Sequence, residues 1–144
     1  MIIILYYYFI IDIFNINFFF HNSSLRSNFF GEDSNYEFSN VIFDDIKANS
    51  KTIINVMNKD ISLKNCQFNK ILLNGDVDNN SLINFYSNNN ILHMDNILIN
   101  DVMSNGDLIT IDGISPNVQF YNTQMNNTSN YGSLLYNKAL NVCI

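Results

Sequence analysis

The stretch ISLKNCQFNKI, from Ile61 to Ile71, alternates like a β-strand but carries an asparagine at its centre. Side chains two residues apart share one face of a strand, so Leu63 and Phe68, which are separated by an odd number of positions, would face opposite ways. A sharp turn at Asn65 would return both side chains to one interior. Asparagine suits such a turn, because it tolerates left-handed dihedral angles and its amide can pair with exposed backbone groups.

The same pattern of two apolar residues, an asparagine and two further, mostly apolar residues occurs five times along the chain. Successive copies begin about 25 residues apart, with one interval longer by about six, which is typical of solenoid repeats. The copies begin at Ile11, Tyr36, Ile61, Leu92 and Val118. The asparagines predicted to stack as a hydrogen-bonded ladder are Asn15, Asn40, Asn65, Asn96 and Asn122.

A second, weaker block follows each of the last four copies and reads as another short strand. These blocks are Thr52–Val56, Ser81–Phe85, Asp107–Ile111 and Ser133–Asn137. Short strands separated by turns, at a constant repeat and without helical periodicity, predict an all-β parallel β-helix of about five rungs.

The runs SNVIFDDI, ISLKNCQFNKI, MDNILINDV and YNTQMNNT resemble the rungs of right-handed parallel β-helix proteins of the pectin-lyase-like superfamily. That resemblance implies an asparagine ladder at one tight turn of each rung. Leucine-rich repeats also place an asparagine after a strand, but their asparagine lies three positions after the last apolar strand residue and not two. An irregular β-sandwich is the other alternative.

The N-terminal segment MIIILYYYFIIDIFNINFFF is apolar enough to suggest a signal peptide or a membrane anchor. It has no basic residue before the apolar run, and it contains the first repeat copy. We therefore expect residues 1–10 to form a strand or cap and residues 11–144 to form the repeats. Because the chain stops at Val142-Cys-Ile144, where the pattern predicts the start of a further rung, we also expect a fragment of a longer β-helix.

The net charge of the chain is −6, from 13 acidic and 7 basic residues. Binding to nucleic acid requires a basic surface, so nucleic acid is not expected as a partner. The hydrophobic fraction of 47% is sufficient for a folded core and argues against disorder. No feature indicates a cofactor.

Catalytic signatures are not apparent. Lyases of the resembled superfamily use a basic residue with Ca²⁺-binding acids, whereas the related glycosidases use aspartates clustered on adjacent rungs. The one arginine, Arg26, lies in a predicted loop, and Asp44-Asp45 has no matching acid pair on the next rung. The interpretation of Asp44-Asp45 as a solvated turn is favoured over catalysis.

Metal binding is also not predicted. Asp76, Asp78 and Asp107 occur in the turn-forming motifs NGDVD and NGD, without the nonapeptide frame of calcium-binding β-repeats. His21 lies in no catalytic or metal motif, and His93 is expected to be a surface residue of a strand without a partner. We predict no catalytic, cofactor or metal site in the chain.

The two cysteines, Cys66 and Cys143, lack the spacing of a redox or metal motif, and Cys66 occupies an apolar rung position. N-glycosylation sequons lie in predicted loops and are compatible with secretion, although they are also frequent by chance in a chain so rich in asparagine. The candidate glycosylation sites are Asn22, Asn79, Asn126 and Asn127.

These observations predict a non-catalytic extracellular or cell-surface β-helix whose faces serve adhesion or carbohydrate contact. Its expected partners are a surface polysaccharide or another protein, and exposed rung ends would allow oligomerisation. A membrane is not expected as a partner, except through residues 1–20. The alternative is a fragment of a polysaccharide lyase or glycoside hydrolase whose active site lies outside this chain. A third possibility is a truncated relic of a repeat gene without retained function.

Overall fold

The computed structural model describes residues 11–14, 23–25, 36–48, 52–75 and 80–141. Within this part the chain forms a parallel β-solenoid of about four turns, and no helix is present. The predicted all-β fold of stacked parallel coils is confirmed. About five rungs were expected, but the first copy is described only at Ile11–Phe14 and Ser23–Leu25. The predicted N-terminal strand or cap, residues 1–10, lies outside the described residues, as does Asn15.

Thirteen strands make up the described part of the solenoid. In chain order they are β1 (Ile11–Phe14), β2 (Ser23–Leu25), β3 (Tyr36–Ser39), β4 (Ile42–Ala48), β5 (Ile54–Met57), β6 (Ile61–Lys64), β7 (Gln67–Leu73), β8 (Ile83–Ser87), β9 (Ile91–Ser104), β10 (Ile109–Gly113), β11 (Asn117–Asn126), β12 (Ser129–Asn130) and β13 (Leu135–Asn137). The four weaker sequence blocks each overlap one of the short strands β5, β8, β10 and β13.

The strands stack in three faces, and every pair is parallel. The first face runs β1–β3–β6 and continues through the first half of β9 to β11. The second face stacks β2, β4 and β7 on the second half of β9, which in turn pairs with the later part of β11 and with β12. The third face is β5–β8–β10–β13. In the described rungs the uniformly parallel pairing argues against the β-sandwich alternative, and the absence of helices between their strands argues against leucine-rich repeats.

Strand pairing places the starts of the sequence repeats directly above one another. Aligned Cα partners join Ile11 to Tyr36, Tyr36 to Ile61, Ile61 to Leu92, and Leu92 to Val118. Each turn of the solenoid therefore repeats the same inward and outward positions, and every face presents columns of side chains that run along the solenoid axis.

The chain turns at the asparagines. Asn40, Asn65, Asn96 and Asn122 have φ angles of 58°, 52°, 54° and 45°, which is the left-handed conformation. On either side of Asn65, the apolar side chains of Leu63 and Phe68 are both fully buried. The predicted change of direction is thus present, and it returns side chains of opposite parity to one interior.

A second column of left-handed residues bends the second face, and it was not predicted. Asp45, Lys70, Asp101 and Asn127 have φ angles of 53°, 51°, 54° and 48°. The pairing of the flanking residues places these four above one another. The interior follows the bend, because Phe43 and Ile46 are both buried although they are an odd number of positions apart. Each of the four rungs described at these corners therefore has a second left-handed corner after the ladder asparagine, and Asn58, with a φ angle of 53°, is a further left-handed residue after β5.

Candidate functional site

The ladder asparagines are joined through their side chains. Asn65 Nδ2 donates to Asn40 Oδ1 at 3.2 Å, Asn96 Nδ2 donates to Asn65 Oδ1 at 2.7 Å, and Asn122 Nδ2 donates to Asn96 Oδ1 at 2.9 Å. All of these residues are exposed. A primary amide carries two N–H donors, and each ladder bond uses one donor and one acceptor lone pair. At Asn65, Asn96 and Asn122 the ladder bonds therefore leave at least one N–H and one lone pair of each amide for a ligand.

A groove of about 500 Å³ runs beside the ladder on the second face; we call it the amide groove. Its second wall is the column of residues that lie two positions after each ladder asparagine. This column consists of Ile42, Gln67, Leu98 and Gln124. Gln67 and Gln124 are exposed, whereas Ile42 and Leu98 are half-buried. The groove thus alternates aliphatic surface with amide donors and acceptors along the solenoid axis.

The floor of the amide groove is apolar and uncharged. Cys66 and Ile97 contribute to it and are almost completely buried. Burial raises the pKa of the Cys66 thiol above its ordinary value of 9.0, against smaller lowering effects of backbone hydrogen bonds, so the thiol is protonated at neutral pH. Cys66 Sγ donates to the carbonyl oxygen of Lys64 at 3.3 Å. The burial predicted for Cys66 is confirmed, whereas Cys143 lies outside the described residues.

The first face carries the charged and aromatic side chains nearest to the ladder. Lys64 Nζ lies 3.3 Å from Glu37 Oε1 in an exposed ion pair. Nδ1 of His93 lies 3.1 Å from Oε1 of Gln119, and the His93 ring contacts the ring of Tyr121 at a centroid distance of 5.5 Å. His93 was expected to have no partner, which is wrong. Gln119 and Tyr121 contact His93 because parallel strand pairing stacks the outward-facing positions of successive rungs.

A shallow hollow of about 310 Å³ lies at the opposite edge of the first face. Ile91 and His93 line it together with Glu37, Asp60 and Ser62. Asp60 Oδ1 accepts a hydrogen bond from the backbone N–H of Ile91 at 2.9 Å. This carboxylate therefore has a structural contact, in which it caps the start of strand β9 on the next rung.

The aspartates considered as catalytic or metal-binding candidates do not converge in the described residues. Asp44 and Asp45 are half-buried residues of β4, and Asp45 is a left-handed corner. Asp107 Oδ1 accepts a hydrogen bond from the Ser133 backbone N–H at 2.7 Å, which joins two rungs. Among the described residues, no three His, Cys, Asp or Glu side chains are grouped to hold a metal ion. Asp76, Asp78, His21 and Arg26 lie outside that part of the chain.

One candidate glycosylation site is not in a loop. Asn126 is the last residue of β11, whereas Asn127 is the left-handed corner that follows it. Asn127 donates its side-chain amide to Asp101 Oδ1. The loop prediction failed for Asn126 because strand pairing continues through the ladder corner up to the second corner. Asn22 and Asn79 lie outside the described residues.

The amide groove was missed from the sequence because its second wall has no common residue type. Ile42, Gln67, Leu98 and Gln124 are two aliphatic and two amide residues, so a search for repeated identities passes over them. The available signal is positional, since each is two residues after a ladder asparagine. That spacing makes the side chain face outward beside the corner.

Comparison with protein-family models, curated proteins and solved structures gives no significant match to this chain. Among the residues that the structure describes, no helix is both long enough and apolar enough to span a lipid bilayer.

Proposed function

We propose that this protein is a non-catalytic extracellular or cell-surface β-solenoid that contacts carbohydrate along the amide groove. We also propose that the solenoid is right-handed and related to the pectin-lyase-like superfamily. Right-handed connection between parallel strands is the strongly preferred geometry, and the stacked asparagines agree with the ladder that this resemblance implies.

The composition of the groove is the observation that carries the proposal. Six amide side chains line it, namely Asn40, Asn65, Asn96, Asn122, Gln67 and Gln124. A primary amide can donate to one hydroxyl group and accept from another, whereas the aliphatic side chains of Ile42 and Leu98 offer surface to the C–H faces of a sugar ring. This alternation of amide and aliphatic groups matches the mixed polarity of a carbohydrate.

The form of the groove also favours a polymer over a small molecule. Small-molecule sites are usually clefts that bury most of their ligand. The amide groove instead lies open along the surface, and its lining residues come from four successive rungs. A ligand that extends beyond both ends of such a groove can still use every rung.

The proposal is tested by applying the purified full-length protein to a glycan array and to cell-wall polymers in a pull-down assay. We expect retention of the folded protein on at least one polysaccharide, with no retention after heat unfolding. Failure to bind any surface polymer would reject carbohydrate contact. Shortened or unsaturated products from a retained polymer would instead reject the non-catalytic assignment and favour the lyase or glycosidase alternative.

A further inference from the structure

We infer that the ligand of the amide groove is an uncharged, extended glycan that lies along the solenoid axis. This inference rests on the proposed carbohydrate contact and specifies the ligand class, its direction and the length that is bound.

The absence of charge in the lining determines the ligand class. None of the residues that line the groove carries an ionised side chain, and the Cys66 thiol is held protonated by burial. A uronate carboxylate bound there would lose hydration without gaining a cationic partner. The adjoining column of the first face contains Lys64 and Asp95, which are aligned on neighbouring rungs and carry opposite charges. It therefore supplies no net field that would attract an acidic polymer.

The ladder determines the direction of the ligand. Its four amides recur once per rung and lie on neighbouring strands, so they span three inter-strand spacings, or about 14 Å. Gln67 and Gln124 repeat the amide character on the opposite wall, in register with Asn65 and Asn122. A regular row of identical donors is best satisfied by a polymer whose hydroxyl groups also recur regularly along its length. That polymer must run parallel to the row.

The limited extent of the row predicts a length dependence. Each additional sugar unit meets a further amide until the row is filled, which for a span of about 14 Å requires roughly three to four units. Beyond that length a linear glycan gains no new contact with the described groove. We therefore expect affinity to rise up to about the tetrasaccharide and then to level off.

The experiment titrates the full-length protein with neutral β-1,4-linked glucose oligomers from the disaccharide to the hexasaccharide, using calorimetry or NMR. Galacturonate oligomers of the same lengths provide the charged comparison. The variant combines Gln67→Ala with Gln124→Ala, and both side chains are exposed, so the fold should be retained. The matched control is Gln119→Ala, which makes the same truncation on the first face, outside the groove.

We expect the neutral series to bind with the stated length dependence and the double variant to lose affinity by about tenfold or more, as expected for lost hydrogen bonds. Gln119→Ala should bind like the wild type. Tighter binding of galacturonate, or a loss of affinity in Gln119→Ala but not in the double variant, would overturn this inference while leaving carbohydrate contact intact. If no oligomer and no polymer binds, the proposed function falls together with the inference.

Discussion

At the scale of single residues, three phenylalanine side chains pack together in the mostly aliphatic interior. The rings of Phe43 and Phe68 stack at a centroid distance of 4.7 Å with an interplanar angle of 3°. Phe38 meets Phe43 at 6.1 Å in a tilted arrangement. All three side chains are almost completely buried, so each gains burial of a large apolar surface together with favourable ring contacts.

Replacement of Phe68 by Ala should lower the free energy of unfolding by about 3 to 5 kcal/mol, because it leaves a cavity between Phe43 and the rung above. Chemical denaturation monitored by circular dichroism measures this change. The neighbouring exposed residue gives the control, since Gln67→Ala should change stability by less than about 0.5 kcal/mol. Equal effects of the two substitutions would show that Phe68 is not interior.

The buried thiol of Cys66 should make stability dependent on alkaline pH. Its pKa is raised in the folded state by burial, so the unfolded chain ionises first as pH increases. The protonated thiol contributes fully to the free energy of unfolding below the pKa that Cys66 has in the unfolded chain. This contribution is lost as pH rises through the higher pKa of the folded state, at a rate of at most about 1.4 kcal/mol per pH unit. Denaturation of wild type and Cys66→Ala between neutral pH and about pH 10 should show a smaller decline for the variant. If the stability of the two proteins declined equally with pH, the raised pKa of the Cys66 thiol would be contradicted.

At the scale of structural elements, the ladder links rungs that are about 25 to 31 residues apart in sequence. Each corner has a local role, since asparagine relieves the strain of a left-handed φ angle, and a non-local role, since its amide bonds the next corner. The two roles can be separated, because loss of a shared hydrogen bond couples two substitutions whereas loss of a local conformational preference does not.

Asn65→Ala should destabilise the protein by about 1 to 2 kcal/mol, from backbone strain and the loss of two exposed hydrogen bonds. Combined with Asn96→Ala it should cost less than the sum of the two single changes, because both remove the same 2.7 Å bond. Asn40→Ala with Asn122→Ala is the control, since these residues bond different ladder members and should be additive within about 0.5 kcal/mol. Additivity in both double variants would argue against the ladder.

The second corner offers a stabilising change. Lys70 is the only lysine in a column otherwise composed of Asp45, Asp101 and Asn127, and its φ angle of 51° is unfavourable for a long side chain. Lys70→Asn should raise the free energy of unfolding by about 0.5 to 1 kcal/mol, because asparagine tolerates the left-handed φ angle better than lysine does. The exposed attraction between Lys70 and its acidic neighbours, which the substitution removes, contributes little. Lys47→Asn, on an exposed regular part of β4, should not stabilise. A destabilised Lys70→Asn protein would show that attraction between Lys70 and its acidic neighbours outweighs the strain.

The two corners also show which parts of the fold can be predicted from the sequence. The ladder corner is predictable because the apolar pattern changes parity there and a residue suited to left-handed geometry marks the change. The second corner changes parity as well, between Phe43 and Ile46 and again between Phe68 and Ile71. It was overlooked because Asp45 and Lys70 share no chemical character. A parity search that ignores residue identity would have found both corners.

At the scale of the whole molecule, stability depends on contacts between rungs. In a solenoid each rung contacts its neighbours alone, so inward positions are covered only where a rung lies on both sides. Ile83 and Ile109 are fully buried in the third face, whereas Leu135, aligned with Ile109 in the last described rung, is 38% exposed. Oligomerisation through such rung ends remains a prediction.

The candidate site follows from this architecture more than from any single residue. A groove assembled from positions on four rungs has no contiguous sequence motif. Its residues are marked only by their spacing from the ladder asparagines, and this spacing can be interpreted only when the register of the strands is known. The same register places Gln67 across the groove from Asn65, and Gln124 across from Asn122. Fold prediction therefore precedes site prediction in this protein.

The central claim is that the chain turns at each ladder asparagine and stacks its rungs in parallel register. NMR spectroscopy of the isotopically labelled full-length protein tests it most directly, through nuclear Overhauser contacts and the backbone couplings that report φ. We expect contacts between the aligned residues Phe68 and Ile99, contacts between the side-chain amides of Asn65 and Asn96, and positive φ angles at both asparagines. Antiparallel contacts, or negative φ angles at Asn65 and Asn96, would contradict the claim.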